Sequence, residues 1–136
     1  MAFGSFDILH PGHLDYLSRA RAMGDYLLVV VARDKSIESL KHRKPLFGER
    51  DRVRIIGSLK IVDKAVIGNA VRRPVDRFLI LKKYRPDVVV FGYDQRVDVG
   101  EVRAWLSRNG MRARVVKIGA SLAPKRYKSS KIRSGI

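Results

Sequence analysis

The sequence predicts an α/β domain over residues 1–136, built as a doubly wound parallel sheet of five strands with helices on both faces. Three observations lead there. Leu27 to Ala32 and Val88 to Phe91 are short, Val-rich apolar runs without polar alternation, as strands buried on both faces require. Between such runs lie stretches whose apolar residues recur three and four apart, as amphipathic helices require. The two patterns alternate along the whole chain, the mark of crossover units that lay helices over both faces of one sheet.

In chain order, Ala2 to Phe3 reads as the first strand, and Leu14, Leu17, Ala20 and Met23 form the stripe of the first helix. Leu27 to Ala32 is the second strand, Val53, Ile56 and Leu59 mark the next helix, and Lys64 to Ile67 is the third strand. Val75, Phe78, Leu79 and Leu81 keep helical spacing towards Tyr84, and Pro86 introduces the fourth strand at Val88 to Phe91. Val102, Trp105 and Leu106 give the last helix and Ala113 to Ile118 the fifth strand. Trp105 and the stripe from Tyr16 to Met23 read as core or dimer contacts. Gly24, Gly68 and Gly110 fall at joints between elements. The basic, irregular stretches Lys41 to Gly48 and Gly119 to Lys128 belong on the ligand side. In Rossmann-like sheets that side lies outside the carboxyl ends of the strands, where the strand order reverses.

Composition narrows the function classes. A hydrophobic content of 46% with 11 Gly and 5 Pro describes a compact globule rather than a disordered or fibrous chain. A chain of this length buries roughly two-thirds of its unfolded surface and needs no disulfide or structural metal. The absence of cysteine excludes a catalytic thiol and a thiolate metal site. The longest apolar run, Tyr26 to Ala32, is far short of the roughly 18 residues of a membrane span. No signal-peptide pattern precedes the first motif, so a cytoplasmic location without a membrane partner is expected. The unusual quantity is charge: 29 basic residues against 13 acidic ones leave a net +16. Such a surface attracts phosphate in any form. No recognition motif or row of stacking aromatics accompanies it, so nucleic acid is not the expected partner.

The chemistry concentrates after the first strand, in Gly4-Ser5-Phe6-Asp7-Ile8-Leu9-His10-Pro11-Gly12-His13. Pro11 suits the first position of a helix. His10 and His13 then flank a helix N-terminus, where backbone N–H groups and the helix dipole favour an anion, and Gly12 leaves room for a flat ring against the backbone. Two imidazoles there suit a phosphate whose charge grows in a transition state.

Gly-Ser-Phe-Asp followed by His-Pro-Gly-His after an opening strand resembles the cytidylyltransferase-like nucleotidyltransferase superfamily, which moves a nucleotidyl group onto a phosphate and releases pyrophosphate. Further segments fall in the order that resemblance implies: Val31-Ala32-Arg33-Asp34, Arg43-Lys44-Pro45, Glu49 to Arg52, Val62 to Val66, Gly92-Tyr93-Asp94-Gln95 and Ser129-Ser130-Lys131-Ile132. Ala-Arg-Asp combined with Gly-Tyr-Asp-Gln most resembles the archaeal-type FAD synthases, which adenylate FMN. The resemblance implies ATP and FMN as substrates, Mg²⁺ bound through the ATP phosphates rather than by the protein, and a homodimer. It assigns His10, His13 and Lys44 to catalysis. Ser5, Phe6, Pro11, Gly12, Asp94, Ser129, Ser130 and Lys131 join the two histidines around the nucleotide. Asp7, Arg33, Asp34 and Arg52 are assigned to the acceptor.

Plainer roles stand beside these. Asp7 and Asp94 are also suited to capping turns, Lys44 to a solvated basic loop with Lys41, His42 and Arg43, and Arg33, Asp34 and Arg52 to pairing among themselves. The alternative activity is a cytidylyltransferase making a CDP-alcohol from CTP and glycerol 3-phosphate or a similar small phosphate. Such relatives carry an Arg-x-x-Gly-Ile-Ser-Thr-Thr-like terminal signature, where this chain has Tyr127-Lys128-Ser129-Ser130-Lys131-Ile132. A basic nucleic-acid-binding protein and a nucleotide sensor without turnover are the remaining alternatives.

Overall fold

The computed structural model describes residues 1–119. Its five strands are β1 (Ala2–Gly4), β2 (Leu28–Val31), β3 (Lys64–Ile67), β4 (Val88–Phe91) and β5 (Arg114–Lys117). All pairings are parallel and the order is β3-β2-β1-β4-β5. The chain thus winds outward from β1 through β2 to β3, then returns to place β4 on the other side of β1. The order reverses between β1 and β4, and their carboxyl ends open the crevice where such sheets bind ligands.

Alternate strand residues feed two cores, as a period of two dictates. Ala2, Val29, Val31 and Val90 pack with Leu17 and Ala20 of α1 (Pro11–Arg21) and with Ile56 of α3 (Glu49–Gly57). Leu28, Val30, Val89 and Phe91 pack with Ile80 and Leu81 of α4 (Leu79–Tyr84) and with Val102, Trp105 and Leu106 of α5 (Val99–Arg108). Trp105 is therefore core, 5.7 Å from the Phe78 ring.

Two elements depart from the pattern read in the sequence. A short helix, α2 (Asp34–Lys41), stands between the second strand and the basic loop. It buries only Ile37, and its other large apolar residue, Leu40, is 80% exposed, so two turns of helix leave no apolar stripe to read. The stretch around Val75 divides into a 3₁₀ turn at Pro74–Phe78 and α4. Val75 and Leu79, which supplied part of its helical spacing, are exposed rather than core.

The outer strands are marked by basic residues. Lys64 on β3 and Arg114 and Lys117 on β5 are exposed, the Arg103 guanidinium donates to the Val115 carbonyl at 3.3 Å, and Arg33 Nε donates to the Gly68 carbonyl at 2.6 Å.

Candidate active site

The turn after β1 is held by an aromatic ring folded back on a glycine. Phe6 adopts left-handed backbone, φ 51°, and a Cβ on Gly4 would lie 2.6 Å from its ring. Glycine is the residue that admits this approach. The buried ring meets the edge of the His13 imidazole at 5.3 Å and stacks near Tyr16 at 6.5 Å.

His10 is the N-cap of α1 and Pro11 its first residue, as the sequence implies. The two histidines form a reciprocal capping box: His10 Nδ1 accepts from the Gly12 amide at 3.1 Å, and His13 Nδ1 accepts from the His10 amide at 3.3 Å. An accepting Nδ1 is unprotonated, so the proton of each neutral ring is assigned to Nε2 by these bonds. The rings stack with centroids 3.8 Å apart. Burial, the neighbouring His10 and Lys41 together hold His13 down to about 3. Burial also lowers His10, against the opposing pull of Asp94. Both are therefore neutral near pH 7, and they meet an anion as dipolar N–H donors on a positive helix end rather than as cations.

At the switch point, the β1–β4 ladder pairs Ala2 with Val90 and then gives way to side chains. The Tyr16 hydroxyl lies 3.2 Å from the Phe3 amide, 3.0 Å from the Phe3 carbonyl and 2.9 Å from the Val90 carbonyl. Burial raises its pKa, so it stays a neutral phenol. Gln95 completes the seam, donating from Nε2 to the Phe3 carbonyl at 2.6 Å and accepting the Gly92 amide at 2.8 Å. That fixes the turn carrying exposed Asp94, whose charge reaches His10 across the crevice.

On the other side, Arg52 is fully buried and its guanidinium engages protein acceptors. Nε donates to the Phe47 carbonyl at 2.9 Å, one terminal nitrogen to the Ser5 and Ala32 carbonyls at 2.8 and 2.7 Å, and the other to Asp34 at 2.7 Å. Buried Asp7 accepts from the Leu46 and Phe47 amides at 2.7 and 3.3 Å. The resemblance assigns both to the acceptor; in the structure Arg52 pairs with Asp34, and Arg52 and Asp7 tie the ends of β1 and β2 to the basic loop. The cause is burial: an enclosed guanidinium must satisfy its fork on whatever acceptors surround it. Lys44 rides exposed on this latched loop.

The cytidylyltransferase-like family model matches residues 1–135. The chain belongs to the cytidylyltransferase-like family. FAD synthases are among its relatives. That of Methanothrix thermoacetophila is 47% identical over 119 residues, 87% of this chain and 78% of the relative. That of Aciduliprofundum boonei is 45% identical over 118 residues, 87% and 76% of the two chains. That of Archaeoglobus profundus is 39% identical over 133 residues, 97% and 81%. Among solved structures, the lipopolysaccharide core biosynthesis protein from Thermoplasma volcanium superposes with a TM-score of 0.82 at 35% identity, covering 90% of this chain and 96% of that one. Membership and fold agree with the reading of the sequence, and the chain is a nucleotidyltransferase of this family.

Within that family frame, the structure gathers Ser5, Phe6, His10, Pro11, Gly12 and His13 at the end of β1, with Asp94 facing them from beyond β4. Arg33 and Asp34 sit beyond β2, where Arg33 also approaches Glu49 at 3.8 Å. Ser129, Ser130 and Lys131 lie outside the described residues. The sequence reading gave no site role to Tyr16 or Gln95. Gln95 carried a signal, its place in Gly-Tyr-Asp-Gln, whereas Tyr16 looked like one more member of an apolar stripe.

Proposed function

We propose that this chain moves the adenylyl group of ATP onto the phosphate of FMN, giving FAD and pyrophosphate, within one nucleotidyltransferase domain. The observation that carries the chemistry is the pair of neutral imidazoles whose Nδ1 atoms are held by the backbone at the N-terminus of α1. The acceptor is supported by the FAD synthases that are 39–47% identical over most of the chain.

An FMN phosphate oxygen attacks the α-phosphorus in line, a new P–O bond forms, and the bond to pyrophosphate breaks. No protein nucleophile takes part. His10 and His13 donate through Nε2–H to the non-bridging oxygens as charge builds on them, and the first turn of α1 adds its backbone dipoles. Lys44 reaches the β- and γ-phosphates from the loop that Asp7 and Arg52 latch, and Ser129, Ser130 and Lys131 are assigned to the same phosphates. Asp94 accepts from the nucleoside, and Arg33 with Asp34 serves the acceptor. Among the described residues no three His, Asp or Glu side chains converge as a metal cage. Mg²⁺ held by the triphosphate fits this site, and when bound it neutralises phosphate charge. Among the described residues no helix is long and apolar enough to cross a membrane. A cytoplasmic homodimer remains the expectation, and sedimentation tests the dimer.

The test is turnover of ATP or CTP against FMN, glycerol 3-phosphate or phosphopantetheine, with products separated by chromatography. FAD formed only from ATP and FMN is the expected result. A CDP-alcohol from CTP would keep the mechanism and replace the acceptor.

A further inference from the structure

One border of the sheet carries a row of cations that the transfer chemistry does not use. β5 is an outer strand, and residues 99–119, which hold α5 and β5, include Arg103, Arg108, Arg112, Arg114 and Lys117 against one carboxylate, Glu101. All five cations are exposed. We infer that this border binds the phosphate backbone of double-stranded nucleic acid without reading its sequence.

The cations share one surface. Arg103 ties α5 to the border strand by donating to the Val115 carbonyl at 3.3 Å, and from the other face Arg19 of α1 donates to the Gly119 carbonyl at 2.8 Å. Arg114 and Lys117 are three residues apart in β5, so they leave it on opposite faces and the border is positive from either side. The two lie about 10 Å apart at the usual strand rise. Over that length one strand of a duplex presents about three phosphates. Nearby carboxylates are engaged elsewhere: Glu101 by Arg77 at 3.2 Å, and Asp87, at the start of β4, by its pull on the Met1 amino group.

The chemistry of the row selects the partner. Nine large apolar side chains are exposed among the described residues, and none of them lies in residues 99–119. The border therefore has no apolar anchor for a protein interface and nothing to insert into a lipid surface. Arg103, Arg108, Arg112 and Arg114 are guanidinium groups, whose planar forks pair with phosphate oxygens. The sequence has no base-reading motif and no row of stacking aromatics. Binding to the backbone needs neither, so the expectation against nucleic acid applies to recognition of bases.

The experiment titrates a fluorescein-labelled DNA duplex of about 24 base pairs with the full chain, following anisotropy between about 50 and 200 mM KCl. The wild type should bind with a slope of log K against log salt of about −4, as four or five neutralised phosphates require. The double variant Arg112→Gln with Arg114→Gln should make that slope shallower by about 2, and Arg108→Gln alone by about 1. All three positions are exposed, so urea midpoints should hold. Arg54→Gln with Lys60→Gln removes the same charge from exposed positions beside β3, at the other border, and should leave the slope unchanged. A second duplex of unrelated sequence should bind within about twofold. No binding by the wild type at about 50 mM salt would overturn the proposal. Equal loss of slope in the two double variants would also overturn it, by showing that net charge acts rather than this border. Displacement of the duplex by polyglutamate at matched charge would assign the border to an acidic protein instead.

Discussion

The Tyr16 hydroxyl stands 3.2 Å from the amide nitrogen of Phe3 and 3.0 Å from its carbonyl oxygen, so one side chain meets both ladder groups of a central-strand residue. β1 and β4 can therefore part at their carboxyl ends without leaving buried backbone groups unsatisfied, and the crevice exists because a phenol substitutes for a strand. Tyr16→Phe keeps the ring but strands the Phe3 amide. Leaving such a group unpaired costs about 1–3 kcal/mol. The urea midpoint should fall accordingly, with little change in the far-UV spectrum.

Asparagine can separate the two jobs of His10. Its side-chain oxygen is a good N-cap acceptor, but it has nothing in the position of Nε2–H. His10→Asn should stay within about 0.5 kcal/mol of wild-type stability while kcat falls about a hundredfold or more, the usual loss for one transition-state donor. Near-normal turnover would show that the imidazole only caps the helix.

The pH dependence has a definite sign. An unfolded histidine titrates near 6.5, whereas His13 in the fold is held down to about 3. Below 6.5 the unfolded chain binds a proton that the fold refuses, so stability is full above that value and is lost as pH falls towards 3. The slope contributed by His13 is about 1.4 kcal/mol per pH unit. Urea midpoints measured between pH 7 and 4 should show it, and His13→Asn should remove that share. Turnover should show no acid limb near 6.5 from His13, because the capping nitrogen stays unprotonated there.

Arg52→Met tests the latch. Methionine fills much of the volume but leaves the Ser5, Ala32 and Phe47 carbonyls and the Asp34 carboxylate without their donor. Removing one partner of a buried ion pair costs about 3–5 kcal/mol, and the half-exposed Asp34 places this one at the low end. Trypsin should cleave after Arg43 faster than in the wild type. An unchanged cleavage rate at that loop would show that Asp7 holds it alone.

The strands were legible because parallel strands buried on both faces need uninterrupted Val and Leu, and Leu28–Val31 and Val88–Phe91 have little else. The histidine pair was legible because a helix start fixes its neighbours by local geometry. α2 was not, since one buried isoleucine makes no period. For Arg52 the pairing with Asp34 was legible but its burial was not: in a chain with 29 Lys and Arg, nothing in sequence distinguishes this enclosed arginine from those that the described residues leave in solvent. Its fate depends on carbonyls from Ser5, Ala32 and Phe47, which come together only when the sheet and α3 have packed.

The basic outer strands bear on how these molecules treat one another. An open sheet ends in rows of unsatisfied backbone groups that invite a strand from another chain. Here Arg103 donates to the Val115 carbonyl, and Lys64, Arg114 and Lys117 stand on the two outer strands. Two copies approaching border to border would bring like charges together before any ladder could form. Part of the positive excess thus acts as protection against aggregation, and that protection should weaken as salt screens it.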